Sequence, residues 1–175
     1  KYQYLQQIHD LHPMEKHLGK FLRLRPANFP TLRIAQFAQL LQSANQLFSK
    51  LLEAETVRDL EKLFEVTLTN YWLTHYTFLE SGRERNKSLG KNFIHTLLIN
   101  AVVPCVYLYG KLNGVSAYSD KALDWLRQLP PEQNAVIDRW TKFGINAETA
   151  ADTQALLQLK KNYCDKKRCL SCGIG

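Results

Sequence analysis

Along most of this chain apolar residues recur three and four positions apart, and no stretch alternates apolar and polar residues over several consecutive strands. The clearest stripe lies in TLRIAQFAQLLQSANQLFSKLL, residues 31–52. Leu32, Ala35, Ala38, Leu41, Ala44, Leu47, Phe48 and Leu51 share one side of an amphipathic helix there, and Pro30 suits its start. Before it, a helical stretch runs from Lys1 to about His9 and breaks at His12 and Pro13; Pro26 and Pro30 close the next segment. After it, Thr56 and Asp59 have the spacing of an N-cap for the short helix VRDLEKLF. In TLTNYWLTHYTFLE, residues 67–80, Leu68, Tyr71, Trp72, His75, Tyr76 and Leu79 fit a helical face. The Thr, Tyr and Trp content also suits a strand; a helix is expected.

The polar, basic SGRERNKSLGK then reads as a loop, with Ser88 as cap of a long apolar helix, FIHTLLINAVVPCVYLYG, residues 93–110. Pro104 inside it predicts a kink or break. A membrane span needs about 20 mostly apolar residues. With His95, Thr96, Asn100 and Pro104 inside it, this segment reads instead as a buried core helix. LNGVSAYS is a loop in which Ser119 and Asp120 can cap KALDWLRQLP. Pro130 and Pro131 end that helix and open EQNAVIDRWTKFG. The last helix, ETAADTQALLQLKKNYC, has an acidic start and a basic end that complement its dipole. The sum is an all-α chain: one domain of about seven helices over residues 1–163, with a short irregular cysteine-containing tail, 164–175, packed on it.

Composition fits that picture. The 175 residues, 45% of them hydrophobic, suffice for one core, and 11% aromatics argue against disorder. A net charge of +7 favours acidic partners, nucleic acid above all. The chain begins at Lys1 in a sequence that already looks helical, and so reads as a fragment preceded by more polypeptide; that preceding region is an expected partner. No membrane association is expected.

The chain ends in NYCDKKRCLSCGIG, which holds three of its four cysteines. Cys164, Cys169 and Cys172 are spaced C-x4-C-x2-C. The C-x2-C turn can aim two thiolates at one ion, and structural zinc wants four ligands. Plant-type iron–sulfur proteins use the same run with a fourth cysteine far downstream, which the chain end precludes. A fourth ligand would be Cys105, better read as a small core residue, or a histidine, or there is none. Lys160, Lys161, Lys166, Lys167 and Arg168 surround the cluster, and positive neighbours favour thiolate over thiol. Zinc or an iron–sulfur cluster is the expected cofactor; redox chemistry and unengaged thiols are the alternatives. Clustered cysteines of this kind point to the cytoplasm rather than to a secreted disulfide framework.

Two basic stretches stand out. KFLRLRPANFPTLR carries Arg23, Arg25 and Arg33, and GRERNKSLGK carries Arg83, Arg85, Lys87 and Lys91 at the approach to a helix start, where phosphate binds well. These seven are the expected phosphate contacts; the bland alternative is solvated charge or salt bridges to Glu15, Glu80 and Glu84. Tyr71, Trp72, Tyr76 and Phe78 could stack on bases, but such a run is more often core. His75 reads as a satisfied core histidine. No Ser-His-Asp order, P-loop or dinucleotide glycine pattern is present.

FLRLRPANFPTLRIAQFAQLL, LGKNFIHTLLINAVVPCVYLYG and LKKNYCDKKRCLSCGIG together resemble the C-terminal half of an uncharacterised bacterial family, a domain of unknown function. The resemblance implies an N-terminal region with a restriction-endonuclease-type core, in which carboxylates hold a divalent metal; none of it lies in this chain. The tail alone is similar to the cysteine loop, C-x6-C-x2-C-x5-C, of endonuclease III-type glycosylases. Here the first spacer is two residues shorter and the fourth cysteine is absent. The expected role is a non-catalytic accessory domain of a nucleic-acid-processing protein, with a metal-stapled tail and a phosphate-contacting surface. The alternatives are a structural or protein-interaction domain, and an enzyme using His75 or the thiolates.

Overall fold

The computed structural model describes residues 2–173 apart from 14, 16 and 18; the expected helix start at Lys1 lies outside them. The α-helices are α1 (Tyr2–Ile8), α2 (Pro30–Ser43), α3 (Leu47–Glu53), α4 (Val57–Leu63), α5 (Asn70–Thr74), α6 (Lys91–Leu97), α7 (Val103–Leu112), α8 (Ser116–Gln128), α9 (Ala135–Lys142) and α10 (Ala150–Leu159). Short 3-10 turns form at Pro26–Asn28 and Cys169–Ser171, and π-helical turns at Leu98–Val102 and Lys160–Cys164. Among the described residues there is no strand, only an antiparallel bridge between His75 and Ser81. The all-α expectation holds.

Local chemistry explains most boundaries. Thr56 and Asp59 form a reciprocal capping box at the start of α4, as their spacing predicts. Thr149 and Asp152 repeat the device on α10, and the Asn134 side chain accepts from the Val136 and Ile137 amides to start α9. Two expected caps are corrected. Ser88 does not cap the apolar helix, which starts after Gly90. Ser119 lies buried within α8, where its hydroxyl donates to the Tyr107 carbonyl. The stripe over 31–52 is two helices, because Gln46 turns left-handed at φ 61°. Its buried positions are Leu32, Gln36, Leu40, Ala44 and Leu51, while Leu41 and Phe48 are exposed. Residues 67–80 are helical only over α5.

The chain divides into two compact units. The first comprises Lys1–Gln39 and Thr67–Ser88, the second Leu40–Val66 and Leu89–Gly175. The second holds the apolar core, including Leu51, Leu60, Phe64, Ile94, Leu98, Val102, Val106, Trp125 and Leu129. Its central helix runs continuously over Lys91–Leu112, 22 residues, and an 18-residue stretch of it has mean hydropathy 1.6, long and apolar enough to cross a membrane. Here its apolar side chains build that core. Pro104 neither ends nor breaks it. The ladder loosens into the π turn at Leu98–Val102, and the Val103 amide reaches back five residues to the Leu98 carbonyl. A wider turn accommodates the ring that would clash with a carbonyl four residues earlier.

Helix α7 packs most extensively on α8, and Gly110 sets that approach. A Cβ at Gly110 would lie 2.6 Å from Ser119 Oγ, 2.7 Å from the Ser119 amide nitrogen and 2.9 Å from the Val115 carbonyl. Gly110→Ala is therefore expected to destabilise the protein by about 1–3 kcal/mol, read as a lower denaturation midpoint at unchanged slope. Three carboxylates are held below their usual range: Asp59 by the Thr56 hydroxyl, Asp152 by the Thr149 hydroxyl, and Glu61 by His95. Their contribution is complete above the unfolded carboxylate pKa of about 4 and disappears as pH falls through the lower folded values. Melting temperature should accordingly drop in acid, and Asp152→Asn should flatten that drop.

Candidate nucleic-acid surface and cysteine tail

In the first unit, α5 is only five residues long, so its carbonyls lack partners within the helix. Lys87 supplies them. Its ammonium donates to the carbonyls of Trp72 at 2.7 Å, Leu73 at 2.8 Å and His75 at 3.1 Å, and lies 4.0 Å from the centre of the Tyr76 ring. Those bonds engage all three N–H donors. Lys87 is buried, and that burial, with Arg85 nearby, lowers its pKa. The Lys87 carbonyl in turn accepts from the buried Gln36 amide of α2 at 2.7 Å. The Gly82 and Arg85 amides donate to the carbonyls of Thr74 and Leu73, so residues 82–85 run beside the end of α5.

Expected as a phosphate contact, Lys87 instead holds the loop that carries two others. Arg83 and Arg85 are exposed on that loop. Arg25 is exposed just before the Pro26–Asn28 turn, and Arg23 is exposed with a left-handed backbone at φ 63°. None of these four forms an ion pair among the described residues, so the expected alternative of salt bridges to Glu15, Glu80 and Glu84 is not found. Arg33 is half-buried and donates to Asn28 at 2.6 Å and Gln36 at 3.0 Å; burial lowers its pKa. Lys91 belongs to the second unit, at the start of α6, where it sits 3.4 Å from Glu61.

The aromatics depart from expectation. Tyr71, Trp72, Tyr76 and Phe78 read as core in the sequence, yet none is buried. Phe78 is 69% exposed, Tyr71 stacks on His75 with centroids 4.0 Å apart, and Trp72 meets Phe78 edge-on. His75 Nδ1 lies 2.9 Å from the Tyr71 carbonyl, to which it donates. Charge is uneven as well. The first unit has nine Lys and Arg against four Asp and Glu; the second has fourteen against twelve.

In the tail, Cys164 closes the π turn and Cys169 opens the 3-10 turn, with Lys167 left-handed between them at φ 53°. Cys164 and Cys169 are exposed and Cys172 is half-buried; Cys105, expected in the core, is exposed too. Among the described residues no three or more His, Cys, Asp and Glu side chains are grouped so as to hold a metal ion. The zinc or iron–sulfur expectation thus finds no preformed ligand set.

A helical chain whose positive excess lies mainly in one arginine-bearing unit is the class these features define. The chain belongs to the family described as Protein of unknown function (DUF2851), which it matches over residues 1–135. The match takes in the Arg-Pro-x-Asn-Phe-Pro stretch and the apolar helix but not the cysteine tail. No curated protein matches the chain, and no solved structure does.

Lys87→Met keeps the length of the stem and removes the three donors. It is expected to cost about 2–3 kcal/mol, because the Trp72 and His75 carbonyls lose their partner and the Leu73 carbonyl keeps only the Arg85 amide. Hydrogen exchange at the Gly82 and Arg85 amides reads the loosened loop.

Proposed function

We propose that this chain is a non-catalytic nucleic-acid-contacting domain whose first unit binds single-stranded DNA or RNA. One observation carries the reading: Arg23, Arg25, Arg83 and Arg85 are exposed without carboxylate partners in the same unit that exposes Phe78 and the Tyr71–His75 stack. Arginine neutralises phosphate, and aromatic faces stack on unpaired bases without regard to sequence. The loop with Arg83 and Arg85 is fixed in advance by Lys87, which lowers the ordering cost of binding. In the complete protein, such a domain would serve the nuclease-like region that the family resemblance implies. A metal at Cys164, Cys169 and Cys172 is not required by this reading.

A protein-interaction role is the second reading. It is favoured by Ile34 and Phe37, both more than half exposed and three positions apart on α2 within the first unit. The test is binding of a fluorescent oligonucleotide, single- and double-stranded, over a range of salt. Four arginine contacts to a single strand predict a slope of log K against log salt of about −3, and the paired change Arg83→Ala with Arg85→Ala should reduce it by about 1–1.5. Phe78→Ala should weaken single-strand binding at every salt concentration. Binding that is absent, or that ignores salt and these changes, overturns the proposal in favour of a protein partner.

A further inference from the structure

The second unit holds a polar cleft of about 280 Å3 that the nucleic-acid reading does not use. One wall is the helical face of Asn92, His95, Thr96 and Ile99, which runs from α6 into the π turn; the other is Pro130, Pro131, Glu132 and Gln133. π turns inside α-helices are frequent at functional sites.

His95 is the buried titratable group of this cleft. Its Nε2 lies 2.6 Å from Glu61 Oε1 on α4, and Lys91 stands 3.4 Å from the same oxygen. A carboxylate accepts, so the Nε2 proton points at Glu61 and fixes the ring. Nδ1 has no partner among the described residues, and no buried side-chain nitrogen or oxygen there lacks one, so Nδ1 must be solvent-accessible. The cleft is the space that His95 lines. Opposite, Glu132 is held on both oxygens, by Asn100 and Gln154.

From this geometry we infer that the cleft binds a small primary ammonium compound, with His95 Nδ1 and Glu132 accepting from its N–H groups. An oriented imidazole lone pair and a fixed carboxylate are acceptors. Glu61 and Glu132 outnumber Lys91 as charges about the cleft, and no Lys or Arg lines it. Ile99, Pro130 and Pro131 give the ligand stem an apolar wall. Glu61 is a positioning residue, acting through the imidazole.

The test uses the full chain with ethanolamine as probe, and ethylene glycol and acetate as uncharged and anionic counterparts. The readout is the side-chain nitrogen spectrum of His95. The free protein should show Nδ1 unprotonated and Nε2 protonated, and Glu61→Gln should scramble that tautomer while leaving the fold intact. Ethanolamine should shift the Nδ1 signal saturably, with affinity about tenfold or more above that for ethylene glycol, as a charge-assisted bond requires. Thr96 is exposed, so Thr96→Phe fills the cleft without disturbing the core, and it should abolish the shift; Glu132→Gln should weaken it. A protonated Nδ1 in the free protein, an equal response to acetate or glycol, no saturable shift, or a shift that survives Thr96→Phe would each overturn the inference.

Discussion

The ammonium of Lys87 is the contact on which the arginine-bearing unit depends. Among the described residues that unit fully buries only Leu32 and Leu68 as apolar side chains, too few to order the irregular residues 75–88 by hydrophobic contact. One buried cation replaces a core. It gathers the carbonyls left over by a five-residue helix, and its own carbonyl is claimed by Gln36. A buried charge is tolerated only when its hydrogen bonds are complete, and here they are.

The second unit is built the opposite way. Apolar side chains from α3, α4, α6, α7 and α8 meet around Leu60, Leu98, Val106 and Trp125, each essentially without solvent contact. Polar groups appear where they close a gap: Trp125 donates to the Glu55 carbonyl, and Lys121 donates to that of Leu52. The π turn ahead of Pro104 keeps one helix running through this core. Ordinary helical spacing sets Asn92, His95, Thr96 and Ile99 along one side of the cleft.

Helix content and the cap at Thr56 and Asp59 were legible in the sequence, because each rests on contacts a few residues apart, and the loop after residue 80 was legible from its polar composition alone. What failed to read depended on distant partners. Gln36, absent from the apolar stripe, is buried because its partner lies 51 positions away. Lys87 looked like one more surface cation, indistinguishable by type from Arg83 and Arg85. Ser119 matched a cap pattern, but the close approach at Gly110 drew it inside α8. Glu61 and His95, 34 positions apart, left no local signature beyond an unusual histidine in an apolar run. The cysteine spacing was the sharpest local motif, yet spacing alone does not bring a fourth donor.

The division of labour within the loop at 81–88 bears on how such a chain diverges. Shape and charge reside in different side chains: Lys87 holds the backbone, and Arg83 and Arg85 project from it. Replacements at 83 and 85 cost folding little, whereas position 87 has almost no latitude. A methionine there offers no donors, and an arginine offers five in a planar fork where three carbonyls converge on a point. The loop is therefore a platform whose exposed side chains can vary while its anchor stays put. Related chains should vary at 83 and 85 long before they vary at 87.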